Sequence, residues 1–115
     1  MFRSSDIGEI NVSLCYNPTI ERLTVTVCEA KDLKFEDEAT ETYVKILLMN
    51  GNKVTKTKRT TISKKSTNPS YNESFHFKLA QTNIDLASVI CQVFVAHGAH
   101  KDFNFVVKLT FYKSH

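Results

Sequence analysis

The residues best suited to chemistry lie in one basic stretch, NGNKVTKTKRTTISKK, which spans residues 50–65. Its cations, with no acidic residue among them, are Lys53, Lys56, Lys58, Arg59, Lys64 and Lys65. Ammonium groups bind phosphate as point charges, and a guanidinium can hold a phosphate through two donors. The stretch therefore indicates a surface that holds an anion.

The alternation and threonine content of this stretch predict a β-strand. In a strand, Lys56 and Lys58 project from one face and Arg59 from the other. Two ammonium groups roughly 7 Å apart repel each other, which favours a use for them or a nearby anion. The alternative is that the lysines only keep a sheet edge soluble and unpaired.

The charge of the chain is unevenly distributed along its length. The net charge is +3, yet residues 29–41 contain six acids against two lysines, and residues 45–65 contain seven bases and no acid. Such asymmetry predicts an electrically polar molecule, one end of which attracts anionic partners.

Period-two patterns dominate the remaining sequence and predict an all-β fold. Apolar residues alternate with polar ones in EINVSLCY, RLTVTVCEA, TYVKILLM, ESFHFKL, SVICQVFVA and FNFVVKLTFY. With the basic stretch these are seven strands, separated by turn signals such as Asn50-Gly51, which predicts a tight hairpin. One short helical turn fits AQTNIDLASV. We predict one antiparallel β-sandwich domain over residues 8–115, preceded by a tail of residues 1–7.

Composition argues against several other classes of protein. No apolar run approaches the roughly 20 residues of a membrane-spanning helix. Cys15, Cys28 and Cys91 are odd in number and form no CxxC pair, so we expect free thiols in a reducing cytosol or nucleus. No nucleophile–base motif is present, so we expect neither an enzyme nor a cofactor.

Three blocks of the sequence, in order, resemble a C2 domain of the synaptotagmin type. They are GEINVSLCYNPTIERLTVTVCEAKDL, YVKILLM and KTKRTTISKKSTNPSYNESFHFKL, which together cover about residues 8–79. The most specific segment is TNPSYNESFHF. The resemblance implies a Greek-key sandwich of seven to eight strands with a basic strand on its concave face. It also implies that Tyr43 and Lys45 point toward the same surface as the basic strand. The implied anion-binding residues are Tyr43, Lys45, Lys56, Lys58 and Arg59.

The resemblance also implies two loops that bind calcium in many family members, through aspartates that converge on the ion. In the first loop Asp37 can fill one ligand position, but Glu41 stands where an aspartate is usual. In the second loop Ala96 and Gly98 occupy the ligand positions and offer no side-chain oxygen, while Asp102 lies near the last position. We therefore expect a domain that is independent of calcium and holds no metal.

His97 and His100 have the spacing of a pair of zinc ligands. Two histidines without a third and fourth ligand are weak evidence for a metal site, so we interpret them as loop residues.

The C-terminal end departs from the resembling family. That family has two further strands after the second loop, whereas KDFNFVVKLTFYKSH can supply only one long strand. We expect the final strand to be missing, displaced or substituted. Its absence would leave a sheet edge open to another chain.

Two functions fit these residues. One is a calcium-independent C2 module of membrane trafficking that binds phosphoinositides through the basic concave strand. The alternative is a protein-interaction module that uses the same face to bind acidic segments of vesicle-fusion or endocytic proteins. Either one predicts a cytoplasmic, peripheral membrane protein, with a nuclear location as the alternative. We expect no specific contact with nucleic acid, because nothing in the stretch would read bases.

Overall fold

The computed structural model describes residues 2–5, 8–35, 40–96 and 105–110, which form two antiparallel sheets of four strands each. The strands are β1 Phe2–Ser5, β2 Gly8–Asn17, β3 Arg22–Lys31, β4 Thr42–Asn50, β5 Lys53–Arg59, β6 Ser70–Lys78, β7 Ala87–Val95 and β8 Phe105–Thr110. A short 3-10 helix, Gln81–Leu86, connects β6 to β7. The predicted all-β sandwich is confirmed, as is the single short helical turn.

The first sheet has the order β1-β2-β3-β6, and the second has the order β5-β4-β7-β8. Residues 2–5, assigned from the sequence to a tail, add a strand to the first sheet, where β1 pairs with Gly8–Asn11 of β2. The alternation of apolar residues did not predict this strand, because FRSS contains a single apolar residue. β6 and β5 each lie at the edge of a sheet, and this arrangement determines how the basic residues are displayed.

The core lies between the sheets and is formed by the residues that alternate inward along the strands. The residues at most 1% exposed include Ile10, Val12, Leu23, Val25, Val27, Val44, Ile46, Val89, Cys91 and Val93. Phe77 is also buried, and Phe75 is half-buried against the core. The inward positions predicted for β2, β3, β4 and β6 are thus confirmed, since a strand with one wet face must bury the other.

A buried hydroxyl cluster attaches the chain that follows β5 to the start of β4. The Thr42 hydroxyl lies 2.6 Å from that of Tyr71 and 3.1 Å from that of Ser63. The backbone N–H of Val44 donates to the Thr60 hydroxyl at 2.9 Å. Burial raises the pKa of Tyr71 to about 12, because the charged phenolate would lose its water. These bonds fix where β5 ends relative to β4.

The predicted hairpin between β4 and β5 is confirmed. Asn50 pairs with Lys53, which leaves Gly51 and Asn52 as the two loop residues. Gly51 has a φ of 60°, a left-handed conformation that glycine adopts without steric cost. Across the described residues, no helix has the length and apolar character needed to cross a membrane.

Candidate functional site

The pairing of β4 with β5 divides the basic residues between two sides of the second sheet. Lys45 lies opposite Arg59, and Ile46 lies opposite Lys58. Side chains that face each other across an antiparallel pair point to the same side of the sheet. Arg59 therefore shares the outer side with Lys45, whereas Lys58 shares the inner side with Ile46, which is fully buried.

The outer basic face, as we define it, consists of Tyr43, Lys45, Arg59 and Phe94. The Tyr43 and Phe94 rings stack with their centroids 5.5 Å apart and an interplanar angle of 22°. The Arg59 guanidinium carbon lies 4.7 Å from the Tyr43 ring centroid. A cation–π contact of this kind holds the guanidinium in place without neutralising it. The guanidinium therefore keeps its positive charge, and its N–H groups can bind an anion.

Lys45 completes the outer basic face. It lies between Arg59 on β5 and Gln92 on β7, and it is half-buried. The residues that pair directly with Lys45 across the sheet therefore carry no negative charge that would neutralise it. An ammonium and a guanidinium on directly paired residues can contact one anionic group together.

Lys58, on the inner side, already has two contacts within the protein. Its ammonium donates a 2.7 Å hydrogen bond to the backbone carbonyl of His76 on β6. The same nitrogen lies 5.0 Å from the centre of the Phe77 ring. Because β5 and β6 belong to different sheets, this lysine joins the two sheets at their neighbouring edges.

Lys56 points to the same side as Lys58 but makes no comparable contact with the described residues. It lines a cleft of about 150 Å³ between the two sheets. Leu48 and Leu79 form part of the cleft wall. Lys56 is exposed, so its charge is directed to solvent at the opening between β5 and the end of β6.

The five residues predicted for anion binding thus do not form one cluster. The structure brings three of them, Tyr43, Lys45 and Arg59, together on the outer basic face. The expectation that Tyr43 and Lys45 point toward the same surface as Lys56 and Lys58 is wrong, because the β4–β5 register places these lysines on the inner side. The basic strand therefore presents charge in two directions from a single edge.

Of the five positions that the resemblance assigns to the calcium loops, the structure describes two, Glu41 and Ala96. The backbone N–H of Ala96 donates to the Glu41 carbonyl at 2.9 Å, so the end of β7 lies next to the start of β4. Ala96 has no side-chain oxygen to offer at this point. Asp37, Gly98 and Asp102 lie outside the described residues, as do His97 and His100. Among the residues that the structure describes, no group of three His, Cys, Asp or Glu side chains could hold a metal ion.

Two features of the site were missed from the sequence. Phe94 was not singled out, although its alternation with Val93 and its place in ICQVFV put it on the outer side. The carbonyl of His76 was also missed, because a backbone acceptor on another sheet leaves no sequence signal. All three cysteines are free, as expected. Burial raises the pKa of the Cys91 thiol to about 12.

Comparison with known proteins places this architecture among its relatives. A family model described as the C2 domain matches residues 21–111. Synaptotagmin-6 of Rattus norvegicus is 42% identical over 92 residues, which cover 78% of this chain and 18% of that protein. Synaptotagmin-1 of Caenorhabditis elegans is 45% identical over 89 residues, which cover 76% of this chain and 20% of that protein. The chain therefore spans about a fifth of the length of these relatives.

Solved structures show the same fold at lower sequence identity. The crystal structure of a C2 domain of RIM2 superposes with a TM-score of 0.77 at 20% identity, covering 89% of this chain and 83% of that one. The first C2 domain of human synaptotagmin XIII gives a TM-score of 0.73 at 16% identity, covering 92% of this chain and 76% of that one. Because the C2 family model matches most of its length and its two four-stranded sheets form the same fold, the chain belongs to the C2 domain family.

Proposed function

We propose that this domain binds anionic phospholipids, phosphoinositides in particular, without calcium and through the outer basic face. C2 domains typically bind membranes, phospholipids or proteins in membrane trafficking. The observation that carries the proposal is the pairing of Lys45 with Arg59 beside the Tyr43 ring. The two cations are directly opposite each other, and one is oriented by an aromatic ring.

The chemistry of the outer basic face suits a phosphorylated headgroup. Arg59 can donate two parallel hydrogen bonds to one phosphate, and Lys45 adds a point charge next to it. Leu47 and Ile90 lie on the same side of the sheet and are half-buried, so apolar surface lies next to the cations. Lys56 and Lys58 add attraction to the same anionic leaflet from the edge, without contacting the same headgroup.

Calcium independence rests on the second loop. The resemblance assigns Ala96 to a calcium-ligand position, and its methyl group, next to Glu41, cannot supply an oxygen there. Approach to the membrane by the face of the sheet, and not by the calcium loops, is then the favourable orientation. On this proposal the domain acts in the cytoplasm at a membrane surface and performs no catalysis.

Co-sedimentation with liposomes of graded phosphoinositide content, in calcium and in chelator, tests the proposal. The test variant is Lys45→Ala/Arg59→Ala. The matched control is Arg22→Ala/Lys78→Ala, which removes the same charge from a pair of exposed residues on the first sheet. Each basic residue near an anionic leaflet contributes about 1 kcal/mol, so the test variant should bind roughly 30-fold more weakly.

The control variant should retain most of the binding, and chelator should not change it. Equal losses in the test and control variants would show that only net charge matters, which contradicts a site on the outer basic face. Binding that requires calcium would contradict the interpretation of Ala96.

A further inference from the structure

We propose that the free edge of β5 binds an extended acidic segment of a partner protein by strand addition. β5 is the outermost strand of the second sheet, and all seven of its residues, Lys53–Arg59, are exposed. An edge strand of this kind offers a row of backbone donors and acceptors to a new strand. This inference does not rest on lipid binding, since it concerns the backbone of β5.

The hydrogen-bond pattern shows which backbone groups are open. The N–H of Thr60 donates to the Val44 carbonyl at 2.9 Å, so the backbone of Thr60 is directed toward β4. Because this direction alternates along a strand, Lys58 also bonds toward β4, whereas Thr57 and Arg59 turn their N–H and C=O groups away. Among residues that the structure describes, none bonds to these outward groups of Thr57 and Arg59.

Charge determines which kind of strand can pair here. The edge contains four cations, Lys53, Lys56, Lys58 and Arg59, and no acid. Like charges on directly opposite residues destabilise a strand pair, and opposite charges stabilise it. A second copy of β5 would place lysines against lysines, so this edge disfavours self-association. The same lysines that repel a basic strand attract an acidic one.

The alternation of β5 also specifies the spacing of acids in the partner. Lys56 and Lys58 lie on the inner side and are two residues apart, so acids at positions i and i+2 of an added strand would face them. The residue between those acids would lie on the outer side with Thr57. Lys58 uses one of its three donors on the His76 carbonyl, which leaves two for the partner. We therefore infer an acid-x-acid segment in extended conformation.

The test uses a fluorescent heptapeptide in which threonine and glutamate alternate, and a second peptide of the same composition with its glutamates clustered. Binding is measured by fluorescence anisotropy. The test variant Thr57→Pro removes the outward N–H but no charge, and proline is tolerated on an edge strand where its nitrogen faces solvent. The control variant Thr57→Val keeps the N–H.

The alternating peptide should bind the native domain and Thr57→Val equally, and Thr57→Pro about tenfold more weakly. The clustered peptide should bind more weakly than the alternating one. Thr57→Pro should still bind phosphoinositide liposomes, because every charge is retained, so failure of this inference and failure of lipid binding are distinguishable.

An alternating peptide N-methylated at the amides that would face β5 extends the test to the unaltered protein. If this N-methylated peptide does not bind the native domain, strand addition is supported, whether or not Thr57→Pro folds. Equal binding of the alternating, clustered and N-methylated peptides would overturn the inference, because charge alone would then suffice. Binding of liposomes but of no peptide would also overturn it and leave β5 as a lipid contact only.

Discussion

Replacing Lys58 by methionine tests whether this lysine joins the two sheets. Methionine keeps a long unbranched stem that can lie on Phe77, but it removes the ammonium that bonds to the His76 carbonyl. The expected result is a less stable domain, even though the residue is exposed and lies on an edge strand. Most exposed substitutions change stability by no more than about 0.5 kcal/mol.

The size of the effect follows from the two contacts. A hydrogen bond from a charged donor contributes about 1.5–3 kcal/mol, and solvent around an exposed lysine reduces this to roughly 1 kcal/mol or less. A cation–π contact at an exposed site adds about 0.5–1 kcal/mol. The His76 carbonyl lies at an edge and can bind water instead, so no buried acceptor is left unpaired. Lys58→Met should therefore lower the free energy of unfolding by about 1–1.5 kcal/mol, or the Tm by roughly 4–8 °C.

Urea denaturation followed by far-ultraviolet circular dichroism measures this difference, because the chain has no tryptophan to report unfolding. The matched control is Lys56→Met, which makes the same substitution on the same side of the same strand. Either variant removes the mutual repulsion of the two ammonium groups, so that effect cancels in the comparison. If both variants have equal stability, or if Lys58→Met is the more stable, the contacts with His76 and Phe77 do not join the sheets.

Three further predictions concern the core. Burial raises the pKa of Tyr71 from 10.0 to about 12, so above pH 10 the phenol ionises more readily in the unfolded chain than in the folded one. The stability linked to the neutral phenol, about 2–3 kcal/mol, should be complete below pH 10 and disappear as the pH rises through 12. A free energy of unfolding that does not fall over this range would contradict the prediction. A thiol reagent at pH 8 should modify exposed Cys15 in the native protein but Cys91 only after unfolding, as peptide mapping would show; rapid native labelling of Cys91 would contradict its burial. Leu23→Ala should cost about 2–5 kcal/mol and Ile20→Ala less than about 0.5 kcal/mol, because Leu23 is fully buried and Ile20 is 52% exposed; equal losses in urea denaturation would refute this assignment of the core.

The strand pattern could be predicted from the sequence because burial on one face of a sheet imposes a period of two. Val25 and Val44, for example, are inward by alternation and are fully buried. β1 could not be predicted in this way, since its four residues carry no alternation and are held by backbone pairing with β2. A strand that is held mainly by backbone pairing with its neighbour need not show an alternating pattern of side chains.

The candidate site was predictable only in part, for a related reason. Alternation within β5 separates Lys58 from Arg59, and this was evident from the sequence. Which of them shares a side with Tyr43 depends on the β4–β5 register, which includes an irregularity between Leu48 and Met49. A shift of one residue would exchange the two sides. Register is a property of two strands together, and neither strand's sequence contains it alone.

The structure implies that replacing the whole basic strand at once would give an ambiguous result. A Lys56→Ala/Lys58→Ala/Arg59→Ala variant would remove the guanidinium over Tyr43, the bond to His76 and the charge at the edge together. Loss of ligand binding could then arise from a missing headgroup contact, from a less stable sandwich or from weaker attraction of an acidic peptide to the free edge of β5. Single variants separate these causes, because Arg59 lies on the outer side, Lys58 bonds to the other sheet, and the outward N–H of Thr57 lies along the free edge. The side toward which each residue points, more than the charge it carries, determines what its replacement measures.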